Sequence, residues 1–415
     1  MSILHLLNRL LLNTMNNNIK IHFPVFIHEP TLAYLDSAAT TLTPQSVIDV
    51  MNVYYQECPV NVRRGMYSLG EKANIMAVEA RKKVADFVHA IPEEIIFTSG
   101  TTQSINMLAR MLESRMTEQS NIVLTRIEHH ANLIPWQQLA KRTNAEIRFI
   151  ELTDDNDIDR ESIKKVIDEH TAVVSMTLVS NVLGSIIPAQ EIIAAAKTVH
   201  AITVIDAAQA VGHMQVNVQE LDCDFMAFSA HKMYGPKGIG VLYGKKALLD
   251  ELDPSVYGGD MIREVNYTDA TWGDVPYKFE AGTQNIPGII GFGAAASFIT
   301  SVGWEQIEFH EHDLTVYALD RLQRIDGVHI VGPSAIEKRS GVISFTVDGI
   351  HPHDVNEALN AKNVAVRAGH HCAMPLTRRL GLPGTIRMSF GVYSSKEDID
   401  CAVDAIKGVI RVFAK

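Results

Sequence analysis

Cysteine is scarce in this chain. Its 415 residues contain four, Cys58, Cys223, Cys372 and Cys401, and no two stand in C-x-x-C spacing. The scatter argues against a zinc site and against a disulfide framework, and it suits a reducing compartment. Basic residues are outnumbered, giving a formal net charge of −11, which argues against a surface built to neutralise nucleic-acid phosphates. No apolar run approaches the roughly 20 residues that would cross a bilayer. There is no internal repeat or low-complexity tract. Acidic residues are missing from Met1 to Phe26, where Ile3 to Leu12 is mostly leucine. His5, Asn8 and Arg9 interrupt that stretch and no small-residue cleavage site follows, so it does not read as a signal peptide. It reads as a frayed extension or an amphipathic first helix over residues 1–27, packing on a small C-terminal domain. Met15 is a second candidate start.

What is present is ordinary for a globular enzyme, with 47% apolar and 20% charged residues. Leu32 to Ala39 reads as a short strand running into a small-residue turn. Pro44 to Tyr55 predicts a helix capped by Thr43, and Glu71 to Val88 an amphipathic helix. Strands are predicted at Glu94–Thr98, Asn121–Thr125, Glu146–Ile150, Ala172–Leu178, Ile202–Ile205 and Phe225–Phe228, separated by helical stretches. Near-continuous apolar strands alternating with helices indicate an α/β domain, residues 28–295, whose largely parallel sheet is covered on both faces. Residues 296–415 then read as a smaller α+β domain, with strands at His329–Val331, Gly341–Val347, Val364–Val366 and Ile386–Phe390 and helices around 353–359 and 396–412.

In open parallel sheets, ligands bind beyond the carboxyl ends of the strands. Thr101, Thr102, His129, Asn181, Asp206, Gln209 and Lys232 all follow a strand directly or within a few residues. Lys232 lies in Ser229-Ala-His-Lys232, between a buried strand and the Gly235-Pro236 turn, flanked by Ser229 and His231. Desolvation there lowers an amine pKa and makes it a candidate Schiff-base lysine. A surface lysine beside a glycine turn is the competing reading. Thr101 and Thr102 open a helix after Ser99-Gly100, a phosphate cradle in which helix dipole and free N–H groups favour an anion. Asp206 ends its strand, where it either caps a helix or keeps a pyridinium nitrogen protonated.

A second constellation lies in the small domain, at Arg367-Ala-Gly-His-His-Cys372-Ala-Met-Pro375. Arg367, His370 and His371 are positive or polarising neighbours that favour a nucleophilic thiolate. A buried structural cysteine or a metal pair competes, although further ligands at suitable spacing are lacking, so no metal is expected. Arg387 ends a strand and offers a fork to a substrate carboxylate, with a structural ion pair as the alternative.

Taken in order, Glu128-His-His-Ala-Asn132, Asp206-Ala-Ala-Gln209, Ser229-Ala-His-Lys232, Phe279-Glu-Ala-Gly-Thr283 and Arg367-Ala-Gly-His-His-Cys372 resemble cysteine desulfurases of the SufS-like group, within the class V aminotransferases. The resemblance runs from about residue 30 to the end. It implies a PLP-dependent transferase fold of type I, with a mostly parallel seven-stranded sheet and a smaller α+β domain. It implies pyridoxal 5'-phosphate linked to Lys232, Asp206 on the pyridine nitrogen, Gln209 on the ring oxygen and His129 stacked on the ring. Thr101, Thr102, Ser229 and His231 would hold the phosphate, joined by Thr283 from the second subunit of a homodimer. Asn181 and Arg387 would bind the substrate carboxylate, with Arg367 beside Cys372.

By the same resemblance, L-cysteine gives L-alanine and a persulfide on Cys372. The sulfur then passes to an acceptor protein of the SufE/SufU type for iron–sulfur cluster assembly in the cytoplasm. Selenocysteine lyase activity, or aminotransferase or epimerase activity on the same scaffold, is the alternative. The chain departs from the family pattern at Arg63-Arg64-Gly65, where His-Arg-Gly is common, at Tyr67, where a second histidine often lies, and at Ala230, where glycine is usual.

Overall fold

The computed structural model describes residues 19–63 and 65–413; the leucine-rich stretch, Met15 and Arg64 lie outside them. The first strand, β1 (Ala33–Tyr34), pairs parallel with Val364–Ala365, and Asp36 bridges Ser389. Residues 33–36, which the sequence pattern groups with residues 28–295, thus pair with segments of the C-terminal part of the chain, β1 forming a two-stranded sheet with Val364–Ala365. The cause is burial: Ala33 and Leu35 sit in one core with Leu314, Phe345 and Ile399. The segment before it straddles both domains. Lys20 pairs with Asp398, while the fully buried Phe23 packs its ring on Tyr234, Phe298 and Tyr393.

The large domain holds β2 (Ile95–Thr98), β3 (Asn121–Thr125), β4 (Glu146–Ile150), β5 (Thr171–Thr177), β6 (Ile202–Asp206), β7 (Phe225–Ser229) and β8 (Gly240–Gly244). They form one seven-stranded sheet in the order β2-β8-β7-β6-β5-β3-β4. Only β8 runs antiparallel to its neighbours; the other pairs are parallel. Alternate residues enter two different cores, Val123, Val174 and Ile205 on one face and Leu124, Val173 and Val204 on the other. This two-sided burial is why the strands read as continuous apolar runs. Helices Ser68–Phe87 and Ile286–Val302 cover the first face, and Thr101–Met111 and Ile134–Thr143 the second. Helix Gln45–Glu57 begins after Pro44, which is itself the extended cap residue, so Thr43 does not cap it.

A hairpin of β9 (Ile262–Val265) and β10 (Ala270–Trp272) comes next. Helix Ile286–Val302 then meets Trp304–Gln323 at 77°. Among the described residues no single helix is long and apolar enough to cross a membrane. The small domain contains β11 (Val328–Val331), β12 (Val342–Val347), β13 (Val364–Ala365), β14 (Arg367–Gly369) and β15 (Thr385–Ser389). Four of these make an antiparallel sheet ordered β11-β12-β15-β14, backed by helices Pro352–Asn360 and Lys396–Phe413. Its register sets Arg367 opposite Arg387, so both side chains project from one face.

Candidate active site

The carboxyl ends of the parallel strands and the loop after β14 enclose a cavity of about 200 Å³. Thr101, Thr102, His129, Asn181, Asp206, Gln209, Ser229, His231, Lys232, Arg367, Cys372 and Arg387 all line it, together with Thr177 and His371. One expected residue is absent from this wall: Thr283 is exposed and does not line the cavity of its own chain.

Lys232 ends a short 3-10 turn, Ala230–Lys232, that succeeds β7. Its amine opens on the cavity, and burial pushes its pKa down to about 8 against the opposing pull of Asp206. Lys232 is half-buried by exposure and lines the cavity, which favours a desolvated amine over a surface lysine. The alanine at 230 is accommodated by Gly235, where a Cβ would come within 2.8 Å of the Ala230 methyl carbon.

At the other end of the cavity, the backbone N–H of Thr101 donates to Ser229 Oγ at 2.8 Å, and the two hydroxyls are 2.8 Å apart. Gly100 caps the helix at φ 149°, and a Cβ there would press on Ser229 Oγ at 3.1 Å. The helix N-terminus, the Thr101 hydroxyl and Ser229 therefore meet on the cavity wall, which Thr102 also lines. His231 is kept neutral by burial, its pKa lowered to about 4.

Asp206 is 3% exposed, and burial raises its pKa. One of its oxygens accepts the Ala208 N–H at 3.0 Å, so the turn-stabilising reading holds for that oxygen while the residue still faces the cavity. Gln209 donates from Nε2 to the Ala38 carbonyl at 2.7 Å, and its buried Oε1 has no partner. His129 accepts the Ala131 N–H on Nδ1 at 3.0 Å, and burial lowers its pKa to about 3. Its ring is therefore neutral, with the proton on Nε2.

From the small domain, Cys372 presents an exposed thiol. His371 and Cys372 both adopt left-handed backbone, at φ 51° and 58°, which non-glycine residues hold only when the surroundings impose it. The restraint is visible. The His130 N–H donates to the Cys372 carbonyl at 2.7 Å, the Met374 N–H donates to His130 Nε2 at 3.1 Å, and Asn181 Nδ2 donates to the His371 carbonyl at 2.7 Å.

Two expectations need correction here. His371 is not a cationic neighbour of the thiol: burial lowers its pKa to about 3, and Nε2 is turned to Thr385. Arg387 is not a free fork: Nη1 donates to the Asn181 carbonyl and Nη2 to Asp36, each at 3.0 Å, leaving Nε unpartnered. Asn181 likewise spends an amide N–H on the Cys372 loop. Sequence reasoning misses Asp36 and the clamp formed by His130. A carboxylate two residues after β1 is the only signal for the first, and none marks the second. Among the described residues no group of three or more His, Cys, Asp or Glu side chains is placed to hold a metal ion.

The donor set suits a phosphorylated pyridine aldehyde. An anion cradle, a neutral aromatic ring, a buried carboxyl, an acceptor without a partner and a lysine whose pKa is lowered by burial share one cavity. The family comparison agrees. Residues 33–401 match the aminotransferase class-V family. A probable cysteine desulfurase of Halalkalibacterium halodurans is 47% identical over 402 residues, covering 96% of this chain and 98% of the relative. A cysteine desulfurase of Haloferax volcanii is 44% identical, covering 92% of this chain and 90% of its own. Among solved structures, the apo cysteine desulfurase of Thermococcus onnurineus NA1 superposes with a TM-score of 0.92 at 39% identity, covering 95% of this chain and 98% of its own. The Escherichia coli cysteine desulfurase CsdA gives 0.89 at 34% identity, covering 96% and 98%. The chain belongs to the class-V aminotransferase family, on a type I fold of the kind its sequence motifs imply.

Proposed function

We propose that this protein is a cysteine desulfurase that takes sulfur from L-cysteine and releases L-alanine. The observation that carries the reading is the meeting of two groups on one cavity: a desolvated lysine amine from the large domain and an exposed thiol from the small one. A transaminase or racemase has use for the first and none for the second.

When bound, pyridoxal 5'-phosphate supplies an electron sink that lets bonds at the α- and β-carbons of an amino acid break. Lys232 is its point of attachment. Thr101, Thr102, Ser229 and His231 would hold the phosphate, Asp206 the ring nitrogen and Gln209 the ring oxygen, with His129 supplying a neutral ring beside them. Asn181 and Arg387 would take the substrate carboxylate, both already holding protein partners in this structure, and Arg367 would stand beside the thiol. The Lys232 amine would move the α-proton. The Cys372 thiolate attacks the substrate sulfur, so that an S–S bond forms as the C–S bond breaks. The bonding pair stays with carbon, which takes a proton and leaves as alanine. Sulfur is oxidised and carbon reduced, and no outside oxidant enters.

The persulfide is passed to an acceptor protein of the SufE/SufU type, toward iron–sulfur cluster assembly in the cytoplasm. Residues 28–295 and 296–415 act as the two domains, apart from the exchanged segment at 33–36. The protein works as a homodimer in which Thr283 serves the site of the second copy. Exposed Tyr55, Met66, Tyr67, Leu69, Ile75 and Val78, on and between two helices, support a covered face. Incubation with L-cysteine should release alanine in step with acceptor-dependent sulfide and add one sulfur atom to the Cys372 peptide by mass spectrometry. Pyruvate or D-cysteine in place of alanine overturns the assignment.

A further inference from the structure

Glu128 takes no part in that reaction, yet it is 3% exposed and stands directly behind the site. Its carboxyl gathers three donors. Thr125 Oγ1 donates to Oε1 at 2.5 Å, the Thr177 N–H to Oε1 at 3.1 Å, and Asn132 Nδ2 to Oε2 at 2.7 Å. Asn132 Oδ1 in turn accepts from Trp136 Nε1 at 2.9 Å and from Ser175 Oγ at 2.6 Å. The carboxyl thereby ties the ends of β3 and β5 to the short turn His130–Asn132. That turn carries both halves of the chemistry. Its Ala131 N–H locks the His129 ring, and its His130 clamps the Cys372 loop through the backbone of Cys372 and Met374.

We propose that Glu128, acting through Asn132, is a positioning residue that holds the His129 ring and the Cys372 thiol in one register. The inference rests on the desulfurase reading for what that register serves. It rests on the hydrogen-bond polarity for its mechanism. At Glu128 two donors are fixed in place, the Thr177 backbone N–H and the Asn132 amide, while the Thr125 hydroxyl can turn. An amide at position 128 has only one acceptor atom, so its own N–H meets a fixed donor whichever way it is turned. The cost of that mismatch falls on the turn, the least regular of the elements joined.

The test is a donor–acceptor swap. Glu128→Gln sets donor against donor, Asn132→Asp sets carboxyl against carboxyl, and the double variant restores one donor facing one acceptor while leaving an oxygen at position 132 for Trp136 and Ser175. Alkylation of Cys372 by iodoacetamide is measured without substrate, in the cofactor-free and the loaded enzyme, against exposed Cys401 as the internal reference. Each single variant should change the Cys372 to Cys401 ratio several-fold. Each should also lower kcat at least about tenfold with little change in KM, the signature of misplaced groups. The double variant should return both to within about threefold of wild type. A ratio unchanged in Glu128→Gln, or changed in the single variants and not restored in the double, overturns the proposal. Should a single variant fail to fold, the double variant decides alone: wild-type Cys372 reactivity supports the positioning role and altered reactivity overturns it. The ratio is read without turnover, so a wild-type enzyme that releases no alanine would sink the desulfurase reading and leave this test intact.

Discussion

Arg387 reaches Asp36 with Nη2 at 3.0 Å, joining a residue two positions past the two-residue strand β1 to the middle of β15. Arg387 is 2% exposed, so a guanidinium is held in the wall of the cavity with one carboxylate and one carbonyl as partners. Burial lowers its pKa, while Asp36 opposes that shift. The pair keeps a cavity-lining cation charged in a dry place, and it does so with a residue recruited from the far end of the chain.

Asp36→Ala should therefore destabilise the protein by more than a surface ion pair would. Removing one partner of a buried pair strands the other charge; with Asp36 partly solvated, about 2 kcal/mol is expected. Urea unfolding of the cofactor-free enzyme measures it. The KM for cysteine should rise as Arg387 loses its fixed orientation, and an unchanged unfolding midpoint would show that the pair contributes nothing.

Lys232 makes the opposite contribution. Its amine has a folded-state pKa near 8, below the ordinary value of 10.5, because burial disfavours the ammonium form. Below pH 8 both states hold the proton and the folded state bears the full cost. Between about 8 and 10.5 only the unfolded chain keeps it, so stability rises with pH across that window. Lys232→Met should raise the stability of the cofactor-free protein at pH 7 by on the order of 2 kcal/mol, with the gain fading above pH 10. The same substitution should abolish the visible absorbance of the loaded enzyme and any borohydride-trapped adduct. A trapped adduct in the variant would place the anchor on another lysine.

Much of this site is legible in the sequence, because a parallel sheet delivers the residues at its strand ends to one edge. Thr101, His129, Asp206 and Lys232 can be placed on the cavity from local pattern alone. What escapes is whatever depends on distant pairing or on burial. Ala33–Tyr34 is too short to announce a strand, and its partner lies some 330 residues on. His371 reads as a possible cation in the sequence and is neutral in the fold, since a ring packed against Thr385 cannot keep its water. Glu128 carries no mark of its partners, which come from three separate elements.

The departure at Arg63 has a structural answer. Arg63, at φ 73°, donates to Glu280 Oε2 at 2.7 Å, and its guanidinium carbon lies 3.8 Å from the centre of the Tyr277 ring. Glu280 also receives Arg81 at 2.8 Å and the Phe97 N–H at 2.8 Å, and Arg81 further bonds the Ile95 carbonyl. The cluster fastens the Phe279–Thr283 loop to the start of the main sheet. Arg63→Ala should cost only about 1 kcal/mol, because Glu280 keeps its other two donors and Arg63 is partly solvated. Glu280→Ala should cost about 3–5 kcal/mol, because it strands the buried Arg81. Thermal and urea unfolding rank the two variants, and equal losses would contradict the argument.

Cys372 should separate sulfur transfer from everything that precedes it. The thiol stands on the small domain, its loop clamped by His130 and Asn181, while Lys232, Asp206 and His129 face it from the large domain across the same cavity. Cys372→Ala deletes a nucleophile without touching those contacts: the bonds that hold the loop run through the backbone carbonyls of residues 371 and 372 and the Met374 N–H. The variant should bind cofactor with the wild-type visible spectrum and show the wild-type spectral change on adding L-cysteine. It should release alanine from L-cysteine more slowly by about a thousandfold, equivalent to on the order of 4 kcal/mol of barrier. Selenocysteine should lose less, since its weaker carbon–selenium bond depends less on attack by the thiolate. The left-handed backbone at residues 371 and 372 remains in the variant, so its thermal stability should stay close to that of wild type. Near-normal turnover of L-cysteine by Cys372→Ala would make the thiol a bystander, and the desulfurase assignment would fall with it.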